Sequence, residues 1–210
     1  MIFNNNQRVA DLFPTIIKGT LLRVILIVWS SSYESIADQQ LGVTDIDYKV
    51  YTDAIMTPNC INPYLCHHTY RYSPLLSYLM VFNIPPIEYM GKIFFALFDV
   101  LAMLGLANLI KPQHRRVIVQ LYSYNPLFIY LTVRGSCESI SLALMFWTWF
   151  FIFGTNGNAI LNNNSPKNIN KENNQTQKII GYCLYGLWVH FRVYPIIFLP
   201  LIMIHERQIC

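Results

Sequence analysis

Four or five runs of mainly apolar residues, each near the length of a membrane crossing, constrain this chain more than any other feature. A helix rises about 1.5 Å per residue, so about 20 such residues cross the hydrocarbon of a bilayer. The apolar residues run continuously instead of alternating, which selects helices over a barrel, because each helix satisfies its own backbone polar groups in lipid. With 54% hydrophobic and only 12% charged residues in 210, a soluble core is the poorer alternative. The expected class is all-α: a multi-pass transmembrane helical bundle of about five spans.

As a single membrane domain, the chain is expected to span at residues 14–31, 91–110, 117–133, 140–153 and 179–204. Residues 32–90 form a polar loop containing a short apolar piece, too short to cross, which reads as an interfacial or re-entrant helix. Asn125-Pro126 is expected to kink the third span. Residues 154–178 are Asn-rich and read as a solvated linker. His190 to Pro195 breaks the last apolar region, giving either one kinked span or two half-passes.

Net charge is +4 with no long basic run, which argues against nucleic acid as a partner. The basic residues report orientation instead. A cytoplasmic N-terminus, read as a retained signal anchor, places Arg8, Lys18 and Arg23 on the same face as Lys111, Arg115 and Arg116, and as Lys167, Lys171 and Lys178. Lys18 and Arg23 are expected to snorkel to that face. Loop 32–90, the Arg134 turn and the His190 segment then share the opposite, lumenal face. The sequons Asn163-Asn164-Ser165 and Asn174-Gln175-Thr176 fall on the cytoplasmic side and are expected to stay unmodified.

Against this low background of charge, the acidic pair in Thr44-Asp45-Ile46-Asp47-Tyr48 stands out. In extended backbone Asp45 and Asp47 point to one side, whereas on a helix they diverge by about 200°. Paired carboxylates take a proton from a hydroxyl, hold a divalent cation or bind sugar hydroxyls. A solvated turn is the plain alternative, since Asp-x-Asp is common by chance. Arg134, Glu138, His190 and Arg192 are expected at the same face, where guanidinium forks can meet phosphate or serve as interfacial anchors. Arg71, between Tyr70 and Tyr72, is a third cation of either kind. Asp99 lies inside the second span, where charge is costly and points to function or to an ion pair; Lys92, two helical turns earlier, is a candidate partner, but that distance favours a partner on another helix. Cys60, Cys66, His67 and His68 match no zinc spacing, and a Cys60–Cys66 disulfide is the expected alternative to free thiols. The aromatics of residues 146–153 read as lipid-facing.

Taken as a unit, the loop resembles the first lumenal loop of the GPI mannosyltransferase I family: Thr44-Asp45-Ile46-Asp47-Tyr48, Val50-Tyr51-Thr52-Asp53-Ala54, Pro63-Tyr64 and Thr69-Tyr70-Arg71-Tyr72-Ser73-Pro74-Leu75-Leu76. Gly91-Lys92, Asp99, Asn125-Pro126-Leu127, Arg134-Gly135, Glu138-Ser139 and His190 through Arg192 to Tyr194-Pro195 extend the resemblance in order. It implies a GT-C type fold in the endoplasmic reticulum membrane with a lumenal active site. It also implies transfer of the first α1,4-linked mannose from dolichol-phosphate-mannose to glucosaminyl-phosphatidylinositol, with inversion at the anomeric carbon. Asp45 or Asp47 would then be the base, and Arg134, Arg192 or Arg71 would neutralise the departing dolichyl phosphate. No cofactor is implied, and a divalent cation is allowed but not required. The implied partners are the two lipid-linked substrates, membrane lipid and a small single-span stabilising subunit. Two departures stand out: Arg134-Gly135-Ser136 replaces the family's Arg-Gly-Asn, and the family is about twice as long, so the chain is expected to be an N-terminal portion. A transporter using Asp99 and Lys92, and a non-catalytic remnant of the enzyme, are the alternatives.

Overall fold

A computed structural model describes residues 11–36, 42–56, 63–67, 69–83, 89–161 and 167–207. Among them every regular element is helical. The helices are α1 (Phe13–Ile36), α2 (Ile46–Met56), α3 (Pro63–Cys66), α4 (Pro74–Leu79), α5 (Met90–Leu109), α6 (Pro112–Tyr124), α7 (Pro126–Arg134), α8 (Glu138–Leu161), α9 (Lys167–Phe191) and α10 (Leu199–Arg207), with a 3-10 turn at Tyr194–Phe198 before the last. Among the described residues two helical stretches are long and apolar enough to cross a bilayer, Phe13–Glu34 and Met90–Leu109, and Glu138–Phe153 is a shorter apolar helix.

Prolines set several boundaries. Pro112 opens α6 and Pro126 opens α7, each at a position where the missing N–H is harmless. The expected kink at Asn125-Pro126 is a full break between α6 and α7, in which Asn125 caps the second helix by accepting the Leu127 N–H at 2.9 Å. The short apolar piece after Ser73 forms α4, buried through Leu76 and Met80 while Tyr78 and Phe82 stay exposed. In the Asn-rich stretch the backbone is helical on both sides of residues 162–166, which differs from the expected loop. Asn163, Asn164 and Ser165 lie outside the described residues.

Helix α5 is the centre of the bundle, packed on α8 and α1, and α9 covers the other side of α8. The last apolar region folds as two helices, α9 and α10, joined at the 3-10 turn and laid side by side. Lys178, midway along α9, meets Glu206 at the end of α10 at 2.8 Å, while Tyr185 donates to the Pro195 carbonyl at 2.9 Å. The aromatics of α8 are half-buried between helices instead of facing only lipid: Trp149 meets Phe198, and Phe153 meets His205. At one end of the bundle Tyr48, Tyr51, Tyr70, Leu76 and Met80 pack against Phe95, Cys137, Ile140 and Phe191. That cluster seats α2, α4 and the Tyr70–Tyr72 stretch on the ends of α5, α8 and α9, and it carries the candidate site.

Candidate active site at the capped end of the bundle

Asp45 is the residue immediately before α2, and its carbonyl accepts the N–H groups of Tyr48 and Lys49. Asp47 sits in the first turn of α2. The helical alternative therefore holds, and the two carboxylates serve different neighbours. Asp45 turns to the end of α7: its N–H donates to the Arg134 carbonyl at 2.9 Å, and its carboxylate meets Arg134 Nη2 at 3.1 Å. Asp47 lies beside Tyr72. Burial, and then the Asp47 carboxylate, push the Tyr72 phenol up to about 12, so it stays a hydrogen-bond donor throughout the neutral range.

A second ion pair stands close by. Arg192, just past the end of α9, meets Glu138 at the start of α8 at 2.8 Å. An acidic residue is favoured there by the unpaired N–H groups of the helix start. Arg192 Nη2 also contacts the Cys137 sulfur at 3.1 Å, and Tyr51 donates to the same sulfur at 3.3 Å. Burial raises the Cys137 thiol above its ordinary value while Arg192 pulls it down. The guanidinium lies 5.6 Å from the Tyr72 ring centroid, which joins the Glu138–Arg192 pair to the Asp47 side. Arg192 Nε is buried without a partner among the described residues, leaving one donor of the fork unspent. Ser73 Oγ and His190 Nε2 lie 3.1 Å apart, tying the start of α4 to α9. Tyr194 reaches Glu138 at 3.4 Å and Ser141 at 2.7 Å. Arg71 is exposed and apart from these pairs.

Six of the seven residues singled out from the sequence, Asp45, Asp47, Arg134, Glu138, His190 and Arg192, are thus engaged with one another or with their neighbours at one end of the bundle, and Arg71, between Tyr70 and Tyr72, lies at that end with its side chain exposed. Tyr51, Tyr72 and Cys137 belong with them and were not anticipated as site residues. The available signals were the motifs around Tyr51 and Tyr72 and the adjacency of Tyr72 to Arg71, which left a phosphate-meeting cation and an interfacial anchor equally open. Tyr48 is structural: it donates to Asn83 Oδ1 at 2.8 Å and packs under Gly135.

The charge inside the second span pairs with another helix, as its two-turn distance from Lys92 favours, and not with Lys92. The partner of Asp99 is Arg23 of α1, at 3.0 Å, with side chains 1% and 0% exposed. Arg23 therefore does not snorkel. Lys92 instead donates to Thr44 Oγ1 at 2.7 Å, and that hydroxyl donates to Glu34. A transporter path running along Lys92 and Asp99 loses its premise. Among the described residues no group of three or more His, Cys, Asp or Glu converges as metal ligands. Cys60, His68 and the Cys66 side chain lie outside the described residues.

The sequence is 33% identical over 190 residues to GPI mannosyltransferase 1 of Dictyostelium discoideum, covering 87% of this chain. The Eremothecium gossypii protein of that name is 34% identical over 84% of the chain, and the Saccharomyces cerevisiae one 31% over 77%. The chain is a homologue of GPI mannosyltransferase 1. It spans about two fifths of the length of these curated GPI mannosyltransferase 1 relatives, 38%, 41% and 36% respectively. No family model matches the chain, and no solved structure does.

Proposed function

We propose that these residues form one face of the active site of a mannosyltransferase of GPI-anchor biosynthesis. The observation that carries this reading is the gathering of Asp45 with Arg134, Asp47 with Tyr72, and Glu138 with Arg192 at a single end of the helices. The donor would be dolichol-phosphate-mannose and the acceptor glucosaminyl-phosphatidylinositol, both presented from the lumenal leaflet of the endoplasmic reticulum membrane. About five crossings, a GT-C type arrangement and a small single-span stabilising subunit complete the proposal.

The chemistry divides between acid and base. One carboxylate takes the proton of the acceptor hydroxyl as its oxygen attacks the anomeric carbon. The bond from that carbon to the phosphate oxygen breaks, and the anomeric centre inverts. Charge then develops on a lipid monophosphate, which the part-exposed guanidinium groups of Arg192 and Arg134 can meet with N–H donors. A monophosphate leaving group makes two guanidinium groups sufficient, so no resident metal or cofactor is invoked.

The test is transfer of labelled mannose to glucosaminyl-phosphatidylinositol in microsomes carrying Asp45→Ala or Asp47→Ala, with protein abundance measured alongside. Loss of transfer at normal abundance in at least one variant is the expected result. Normal transfer by both would remove the acidic pair from the chemistry.

A further inference from the structure

We propose that the buried Arg23–Asp99 pair is a positioning device. It fixes the break between α6 and α7 and, through α7, the Arg134–Asp45 contact, a role that rests on the reading of those two residues as part of the active site. Pro126 has no N–H to offer the carbonyl of Tyr122. The N–H of Leu127, which a continuous helix would direct to the carbonyl of Ser123, goes to Asn125 Oδ1 instead. Two carbonyls thus lose their helical partners inside the bundle, where unpaired backbone groups are costly.

Arg23 reaches both of them from α1. Its Nη1 donates to the Ser123 carbonyl at 2.8 Å and its Nη2 to the Tyr122 carbonyl at 3.5 Å, while Nε holds Asp99 Oδ2 at 3.0 Å. The reach depends on a close crossing of α1 and α6, since a Cβ at Gly19 would lie 1.9 Å from Ser123 Oγ. Asp99 then grips both sides of the break, accepting from the Tyr122 hydroxyl on α6 at 3.1 Å and from the Thr132 hydroxyl on α7. Thr132 is two residues before Arg134, whose carbonyl receives the Asp45 N–H.

An unbroken path therefore runs from Arg23 through Asp99 and Thr132 to Arg134 and Asp45. Stability alone is a weak reason for such a pair, because apolar residues of similar volume commonly replace buried ion pairs without loss. What the pair supplies is a single angle and rotation of α7 about a break that would otherwise be loose.

Thr132→Val tests this with least disturbance, because it cuts the α7 end of the path and leaves Arg23, Asp99 and Tyr122 in place. Arg23→Met with Asp99→Leu removes the whole device without stranding a charge. Amide hydrogen exchange on the full chain in nanodiscs is read beside mannose transfer. The expected result is faster exchange, on the order of tenfold, confined to residues 44–48 and 131–136, with residues 140–152 unchanged. The expected kinetic companion is a lower kcat at unchanged KM for the donor. Unchanged exchange at residues 44–48 in Thr132→Val overturns the inference whatever the activity. Faster exchange throughout the bundle also overturns it, since that marks general stabilisation. Local loosening in a protein whose parent transfers no mannose keeps the coupling and sinks the proposed reaction, so the two failures are separable. If the double variant does not accumulate, Thr132→Val decides alone.

Discussion

At the scale of single residues, the two aspartates differ in what they are already doing. Asp45 is tied to Arg134 by a backbone hydrogen bond and a part-exposed ion pair, whose stabilising contribution is about 0–1 kcal/mol. Loss of the fold is therefore not the expected consequence of Asp45→Asn or Asp47→Asn, and rate discriminates between them. Removing the general base should cost about 10²–10⁴-fold in kcat. Removing a carboxylate that only orients substrate, by one hydrogen bond of about 1.4 kcal/mol, should cost about tenfold. Single-turnover transfer by the two variants, normalised to abundance, separates these roles, and a loss under threefold in both would place the base elsewhere. The tyrosines give a pH expectation. Burial holds Tyr70, and burial with Asp47 holds Tyr72, up to about 12 in the folded chain, against an ordinary value near 10. A raised folded value means that the unfolded chain loses these protons first, so the stabilisation is complete below about pH 10 and is lost as pH rises towards 12. Thermal melts in detergent should be flat for these groups from pH 7 to about 9.5 and fall above it, and Tyr72→Phe should make that fall shallower.

At the scale of elements, the turn from α7 to α8 does the most to place the site. Gly135 has φ +83 and ends α7 in the left-handed conformation, its N–H returning to the Thr132 carbonyl at 3.0 Å and that of Ser136 to the Leu131 carbonyl at 3.0 Å. A Cβ there would sit 2.4 Å from the Tyr48 ring. Gly135→Ala combines backbone strain with a clash into the residue that seats α2, so it should destabilise by about 1–3 kcal/mol and displace Asp45. A lowered Tm together with reduced transfer is the expected reading, and an unchanged Tm would show that the turn relaxes without cost. The departure at Ser136 has a structural answer in the same turn, where its hydroxyl receives the Glu138 N–H at 3.5 Å. Much of this element layout was legible beforehand, because apolar runs and prolines act locally: Pro112, Asn125-Pro126 and the polar stretch at Arg134 mark real boundaries. The direction of Asp45 was not legible, since it depends on whether α2 starts before or after Ile46. For Asp99 the spacing from Lys92 favours a partner on another helix, but which residue supplies it was not legible. Arg23 lies 76 residues away in sequence, and only the close crossing of α1 with α6 brings it to the carbonyls freed by Pro126.

At the scale of the whole molecule, the charge pattern placed the acidic loop, the Arg134 turn and the His190 segment on one face, and the structure brings these segments together through Asp45–Arg134, Glu138–Arg192 and Ser73–His190. That agreement survives the loss of one of its premises, because Arg23 is buried in an ion pair and says nothing about orientation. Arg8, Lys18, the basic stretch at Lys111, Arg115 and Arg116, and Lys167, Lys171 and Lys178 still set the sign. Lys178 and Glu206 lie at the end of the α9–α10 hairpin away from His190 and Arg192, so in the proposed five-crossing arrangement a lumenal site goes with a cytoplasmic Lys178. The Asn174-Gln175-Thr176 sequon lies within four residues of Lys178 and must share its side. Lumenal glycosylation thus reads the sign of the whole assembly. In microsomes the natural sequons at Asn163 and Asn174 should acquire no glycan, whereas an acceptor site built into an exposed position of residues 42–83 should, with a mobility shift reversed by endoglycosidase. Glycan on Asn174 would invert the bundle and put Asp45, Asp47 and Arg192 on the cytoplasmic side. The mannose donor would then have to be presented from the opposite leaflet.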